Sequence, residues 1–275
     1  MRAVLAASLV LLAGLLGTAC GERSEPTGTS VHLYPVTVTD ANGTRATLDA
    51  APRRILAVGP DMAAALKALG VGARTSTGRV AGARPADLVL AWASNPGASA
   101  LPRRTPGAAP AYVAADATVE DVERSLADVA VLVGRPLSGR RMVAKIERSV
   151  DRAQRRLQNL RPVSVFLDKG FSTTVSRSSL QGQMLGLAGG RNIVASATGP
   201  VDPGRLRRLD PRYYLATSQS GTTLKQLRRD PATKHLRAVR AGRFAVVPDR
   251  LLQPGPEVGA GVLTIARILH PDAFR

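Results

Sequence analysis

The sequence predicts an α/β protein of two Rossmann-like lobes with parallel sheets, bridged by a long helix, with a ligand cleft between the lobes. Three observations lead there. Short apolar strands alternate with helices both before and after the middle of the chain, the pattern of parallel sheets. A long amphipathic helix separates the two series. Finally, 275 residues with 44% hydrophobic and 21% charged residues have the composition of a globular chain able to bury a sizeable core. Wholesale disorder, a collagen-like repeat and a polytopic membrane protein are excluded.

The elements follow in order. Tyr34–Asp40 alternates with β-branched residues, Asn42-Gly43 supplies a type I′ turn and Thr44–Leu48 returns, which predicts a hairpin. Pro52 breaks it. Ile55–Gly59 is a short buried strand, and Asp61–Leu69 is an Ala-rich helix stopped by Gly70. Asp87–Ala91 and Ala111–Ala114 are further strands around a Gly/Pro-rich loop at 94–110. Thr118 caps a helix running to about Val133, with Asp121 in the Glu position of a capping box. Apolar residues Val143, Ile146, Val150, Ala153, Leu157 and Leu160 then step by threes and fours along one helical stripe. Beyond Pro162 the alternation restarts: strand 163–168, helix 180–188, helix 204–209, strand 213–217, strand 244–248 and a last helix at 258–269. These boundaries predict an N-terminal lobe at 31–135, a bridging helix at 136–161 and a C-terminal lobe at 162–275.

The N-terminus points to export. Met1-Arg2 precedes an apolar run from Ala3 to Leu16 and the small residues Gly17-Thr18-Ala19. This is a signal-peptide pattern, too short for a bilayer span of roughly 20 residues. Cys20 is the single cysteine in the chain and stands where a lipoprotein signal peptidase leaves it as the first mature residue. Residues 1–19 thus read as a lipoprotein signal peptide and residues 20–30 as a tether anchored by acyl chains on Cys20. Such chains each contribute about 0.8 kcal/mol per buried CH₂ to membrane attachment. An ordinary signal peptide with a stray thiol is the alternative. The expected location is extracytoplasmic, at a bacterial cell membrane.

The formal charge of +18 comes from 38 Lys and Arg against 20 Asp and Glu; removing residues 1–19 takes Arg2 and no acid, leaving +17. The basic residues are dispersed as pairs, without a basic tail or interleaved aromatics, so no nucleic-acid partner is assigned. His32, His235 and His270 are far apart, with no ligand-spaced cluster, so no metal site is assigned. No G-x-S-x-G elbow, H-E-x-x-H or P-loop occurs, which disfavours a secreted hydrolase; the chain is read as not an enzyme, with no cofactor of its own.

Several segments, in order, carry a family likeness: ILAVGP with its helix (55–70), PADLVLAW (85–92), VLVGRP (131–136), FLDKGFSTTV (166–175), AGGRNIV (188–194), LRRLDPRYYLAT (206–217) and VRAGRFAVVP (239–248). With the lipobox they resemble the substrate-binding lipoproteins of ABC importers, of the helical-backbone type that carries iron-siderophores, haem or cobalamin. The resemblance implies a monomeric receptor that captures a bulky small-molecule ligand, whether metal chelate or corrinoid, and presents it to an ABC permease.

The resemblance also implies site residues. Asp61 and Met62 open the first helix. Trp92 resembles a Trp of the cobalamin-binding branch, its indole facing the cleft; a Trp wedged between helix and sheet is the other reading. Phe171 and Ser172 follow strand 163–168, and Ser218 and Gln219 follow strand 213–217, as orienting groups in an apolar pocket. Arg177 and Arg250 are candidates for an anionic ligand. Family members typically dock on the permease through a Glu in the first helix and another in a C-lobe helix; here Ala64 and Gly204 stand at those positions, and Asp61 and Asp202 are the candidate substitutes, or simple helix caps. The stretch from Gly70 to Pro85 is shorter than the family's. A divergent surface lipoprotein that senses or interacts without transport is the alternative function.

Overall fold

The computed structural model describes residues 33–79, 85–101, 109–170, 172–196 and 199–275. Cys20, the signal peptide and the tether lie outside the described residues.

A hairpin, β1 (Val36–Thr39) and β2 (Arg45–Leu48), opens the fold. Its last pair is Thr39 with Arg45, so the connection is the five residues 40–44, not a two-residue type I′ turn. The reason is Asp40, whose Oδ1 accepts the backbone N–H groups of Asn42 at 2.9 Å and Thr44 at 2.7 Å, an Asx-type turn that widens the loop.

The first parallel sheet follows. β3 (Ile55–Val58), β4 (Thr75–Thr77), β5 (Leu88–Trp92) and β6 (Ala111–Ala114) pair in the order β4-β3-β5-β6, all parallel. Between β3 and β4 runs α1 (Pro60–Ala68). Side-chain alternation sorts β5 onto two faces. Leu88, Leu90 and Trp92 join the cluster containing Met62 and Leu66 of α1, whereas Val89 and Ala91 join Leu56, Val58, Ala98 and Val113 on the other face.

α2 (Val119–Leu132) starts at the predicted cap: Thr118 Oγ1 accepts from Asp121 N at 3.0 Å, and Asp121 Oδ2 accepts from Thr118 N at 3.1 Å. α3 (Pro136–Leu157) spans 22 residues, about 33 Å at 1.5 Å per residue. It ends at Leu157, so Leu160 leaves the predicted stripe and is 46% exposed, while Ile146, Ala153 and Leu157 are buried.

The second sheet is built from β7 (Val163–Asp168), β9 (Gly190–Asn192), β11 (Tyr213–Thr217) and β12 (Phe244–Val247), in the order β12-β11-β7-β9, again parallel. A small antiparallel pair, β8 (Thr173–Thr174) with β10 (Gly199–Pro200), stands apart from it. The helices here are α4 (Leu180–Leu187), α5 (Pro203–Leu209), α6 (Leu224–Arg229), α7 (Arg237–Arg240) and α8 (Val258–Leu269).

The two sheets share one core. α3 packs against α2 on one side and α8 on the other, and a single apolar cluster runs from Leu88 and Met62 through Leu126, Ile146 and Val262 to Val165 and Leu215. Helix contact reaches backbone level at Gly259, where an added Cβ would stand 2.7 Å from the Ile146 carbonyl oxygen. Among the described residues, no helix is long and apolar enough to cross a membrane.

Candidate functional site

Each sheet carries a pocket at the C-terminal edge of its strands, the edge at which α/β proteins bind ligands. The larger, about 700 Å³, lies in the N-terminal lobe between the ends of β3, β4 and β5. Val58 and Gly59 supply one wall, Thr77 and Arg79 a second, and the turn from Asn95 to Ala100 a third.

This turn is a short 3₁₀ segment whose cap is Asn95, its Oδ1 accepting from Gly97 N at 2.9 Å. Two glycines allow the walls to close. Gly59 adopts φ +95°, and a Cβ there would collide with the Asn95 side-chain amide. A Cβ on Gly97 would lie 2.8 Å from Val58 Cγ1. The pocket therefore combines an apolar floor with one amide and one exposed guanidinium, Arg79. Beside it, Ser94 donates through both N–H and hydroxyl to the buried Asp116 carboxylate, tying the end of β5 to the loop after β6. Burial pushes the Asp116 carboxyl above the usual carboxylate range, partly offset by the Ser94 donors.

The smaller pocket, about 270 Å³, is polar and sits at the C-terminal edge of β7 and β11. Its organising group is Asp168, the last residue of β7 and only 1% exposed. Oδ1 accepts from Gly170 N at 2.8 Å. Oδ2 accepts from Tyr214 Oη and Thr222 Oγ1, each at 2.8 Å. Burial and the adjoining Asp168 carboxylate push the Tyr214 phenol far up, so it stays a proton donor. Ser172 lines the pocket with φ +55°, a left-handed conformation that a residue with a Cβ rarely adopts. Ser220 Oγ donates to Thr217 O at 2.8 Å and accepts from Thr222 N at 3.2 Å, which shapes the facing loop.

Measured against these pockets, the expected site residues divide. Ser172 stands in the C-lobe pocket. Phe171 lies outside the described residues. Ser218 and Gln219 are exposed in the neighbouring turn and line neither pocket; Ser218 Oγ reaches Val247 O at 3.4 Å and Gln219 N donates to Asp249 at 2.8 Å. Trp92 and Met62 require correction: they are 2% and 0% exposed and belong to the core. The alternation of β5 explains Trp92, because position 92 falls on the same face as Leu88 and Leu90, under the helices. Among the described residues its buried Nε1–H has no hydrogen-bond acceptor.

The candidate arginines are engaged elsewhere. Arg177 Nε donates to Asn192 O at 2.8 Å, and Arg250 pairs with Glu257 at 3.1 Å. Asp61 is half-buried in the first turn of α1, and burial raises its carboxyl. Asp202 is exposed and caps α5 by accepting from Arg205 N at 2.8 Å. Ala64 is exposed on α1. Sequence reasoning missed Thr77, Arg79, Asn95, Asp168, Tyr214 and Thr222. A usable signal was present for two of them: Asp168 closes an otherwise apolar strand, and Asn95-Pro96-Gly97 is a turn set directly behind one.

Comparison with known proteins agrees with this architecture. The profile of the periplasmic binding protein family matches residues 42–251. The uncharacterized ABC transporter substrate-binding lipoprotein YvrC of Bacillus subtilis is 22% identical over 309 aligned positions, covering 99% of this chain and 97% of YvrC. Among solved structures, Helicobacter pylori CeuE with Ni(II) bound superposes with TM-score 0.73 at 16% identity, covering 87% of this chain and 90% of CeuE. The periplasmic heme-binding protein RhuT of Roseiflexus in its apo form gives TM-score 0.67 at 19% identity, covering 80% and 99%. At these identities the structural likeness is one of fold.

Proposed function

The chain belongs to the periplasmic binding protein family, and from that premise we propose that it is the extracytoplasmic substrate-binding lipoprotein of an ABC importer. It captures a bulky ligand of the iron-siderophore, haem or cobalamin class and presents it to a permease. It acts as a monomer, without catalysis, and is held at the membrane through acyl chains on Cys20. The observation that carries the reading is the pair of pockets at the C-terminal edges of two parallel sheets. The name of YvrC, the description of RhuT as a heme-binding protein and the Ni(II) bound by CeuE support it at the level of function class.

The N-lobe pocket favours a ligand with a large apolar face and at least one anionic group. Val58, Gly97 and Ala100 offer apolar surface, and Arg79 offers a guanidinium for a carboxylate or catecholate oxygen. The C-lobe pocket adds neutral hydroxyls from Ser172, Ser220 and Thr222. For docking, the exposed Asp202 serves better than Asp61, which is half-buried.

One observation favours the sensing alternative. Ala64 and Gly204 occupy the places where the resemblance expects docking Glu residues, so a surface lipoprotein that binds ligand without transport keeps the same pockets.

The test is a thermal-shift screen of the mature chain, Cys20→Ser, against haem, cobalamin and several ferric siderophores. A ligand at 100 times its Kd adds about 2.7 kcal/mol to stability, a readily visible shift. Ala100→Trp, an exposed position on the N-lobe pocket wall, should abolish the shift while leaving the ligand-free protein folded. A folded protein that answers to none of the ligands refutes the proposed class. Cys20→Ser in cells should release the protein from membranes, and retention would refute the anchor. Ligand binding without ligand uptake in cells would favour the sensor.

A further inference from the structure

The edge of the second sheet opposite its pocket carries a different feature. Arg161, Arg212 and Arg243 stand just before β7, β11 and β12, three neighbouring parallel strands whose first residues are Val163, Tyr213 and Phe244. Adjacent strands lie about 4.8 Å apart, so the topology ranks three guanidinium-bearing residues along one sheet edge. Arg156 joins them from the last turn of α3, and together they line a groove of about 640 Å³. Among the described residues none of the four forms an ion pair. The one acid on the groove wall, Asp272, is paired with Arg275 at 3.1 Å. Leu160, 46% exposed, adds an apolar contact on the rim.

We propose that this four-arginine groove is a docking surface for anionic phospholipid headgroups, seating the protein on the membrane with its C-lobe pocket turned away. Guanidinium groups match phosphate oxygens bidentately and attract an anionic leaflet, and the exposed leucine fits the headgroup–acyl boundary. Asp168, at the other end of the six-residue β7, lines the C-lobe pocket about 20 Å away along the strand. A groove-down orientation therefore leaves that pocket open to the aqueous side for loading. The inference rests on the groove, independently of which ligand is captured.

The experiment uses the mature chain from residue 20 with Cys20→Ser, which keeps the compact unit Leu33–Arg275 whole and removes any acyl chain. Co-sedimentation is measured at 150 mM salt with phosphatidylcholine vesicles and with vesicles containing about 30% phosphatidylglycerol. Binding is expected only to the second. The quadruple change Arg156, Arg161, Arg212 and Arg243 to Gln should lower the partition coefficient at least tenfold. The same change at Arg140, Arg141, Arg148 and Arg152, four exposed arginines of α3 outside ion pairs, removes equal charge and should lower it less than threefold. Because Arg156 donates to Ala273 O at 3.4 Å and Arg243 sits 5.8 Å from the Tyr213 ring centroid, the double variant Arg161→Gln/Arg212→Gln guards against misfolding and should still lose several-fold. Equal losses in the two quadruples, absence of phosphatidylglycerol-dependent binding, or displacement by 10 mM inorganic phosphate at constant ionic strength would each overturn the proposal, the last by revealing a small-anion site.

Discussion

Replacing Asp168 by Ala probes the group on which the C-lobe pocket depends. The carboxylate is 1% exposed and takes three donors at 2.8 Å: Gly170 N, Tyr214 Oη and Thr222 Oγ1. Tyr214 is itself 1% exposed, so its hydroxyl gains no water when the acceptor leaves. A buried donor stranded in this way costs about 1–3 kcal/mol. The buried Gly170 N–H adds a similar amount, and half-exposed Thr222 adds about 0.5–1.5 kcal/mol, since it can turn toward solvent. The expected loss is about 2.5–7.5 kcal/mol, a large share of the roughly 5–15 kcal/mol that a domain possesses. Urea unfolding of the single variants and of Asp168→Ala/Tyr214→Phe completes a double-mutant cycle. Removing the stranded hydroxyl should make the double variant more stable than Asp168→Ala alone, with a coupling of about 1.5–3 kcal/mol. The account fails if Asp168→Ala costs under about 0.5 kcal/mol, or if Tyr214→Phe adds its full cost on top of it.

Other outcomes follow from the same geometry. Trp92→Ala should cost about 3–5 kcal/mol as a core truncation, while Trp92→Phe should leave the thermal shift given by any ligand unchanged; weakened binding by a folded Trp92→Phe protein would return the ring to the site. Gly259→Ala forces a Cβ against the Ile146 carbonyl and should cost about 1–3 kcal/mol by overpacking, read as a Tm lower by about 2–4 °C per kcal/mol; an unchanged Tm would mean that α3 and α8 separate freely. Asp116 has its carboxyl raised by burial. With the folded value above the unfolded one, the folded state holds the proton more tightly, so this group's stabilisation is present at acid pH and is lost as pH rises through the raised folded value. An NMR titration of Asp116 should therefore find a midpoint above about 3.9, and a midpoint at or below that value would contradict the burial argument.

Most of the fold was legible because its signals are local. The cap at Thr118, the Pro that opens α3 and the apolar blocks of β7 and β11 each declare an element within a few residues. Short strands that depend on partners were not: β4 and β9 are three residues each, polar in sequence, and exist because parallel neighbours complete their hydrogen bonding. The site was less legible for the same reason. Whether Trp92 faces a cleft or a helix depends on strand phase, and one position along β5 decides it. Leu160 continues the numerical stripe of α3, yet the helix has ended three residues earlier. Asp168 reads as a strand-end acid until Tyr214 and Thr222, 46 and 54 residues away, are brought onto it.

The shared core limits how such a protein can respond to a ligand. In a two-lobe receptor with a flexible hinge, closure is a rotation about a few loop residues. Here the link between sheets is α3, gripped by α2 and α8, and Gly139 and Gly259 bring those contacts to backbone distance. Opening the lobes widely would expose Ile146, Ala153 and Val262, all at most 1% exposed, at about 25 cal/mol per Å² of apolar surface. Recognition must then come from the walls themselves, and these are preformed by Gly59 against Asn95 in one lobe and by Asp168 with its three donors in the other. Mutations at the spine should consequently alter stability first and affinity little, whereas Ala100→Trp should do the reverse.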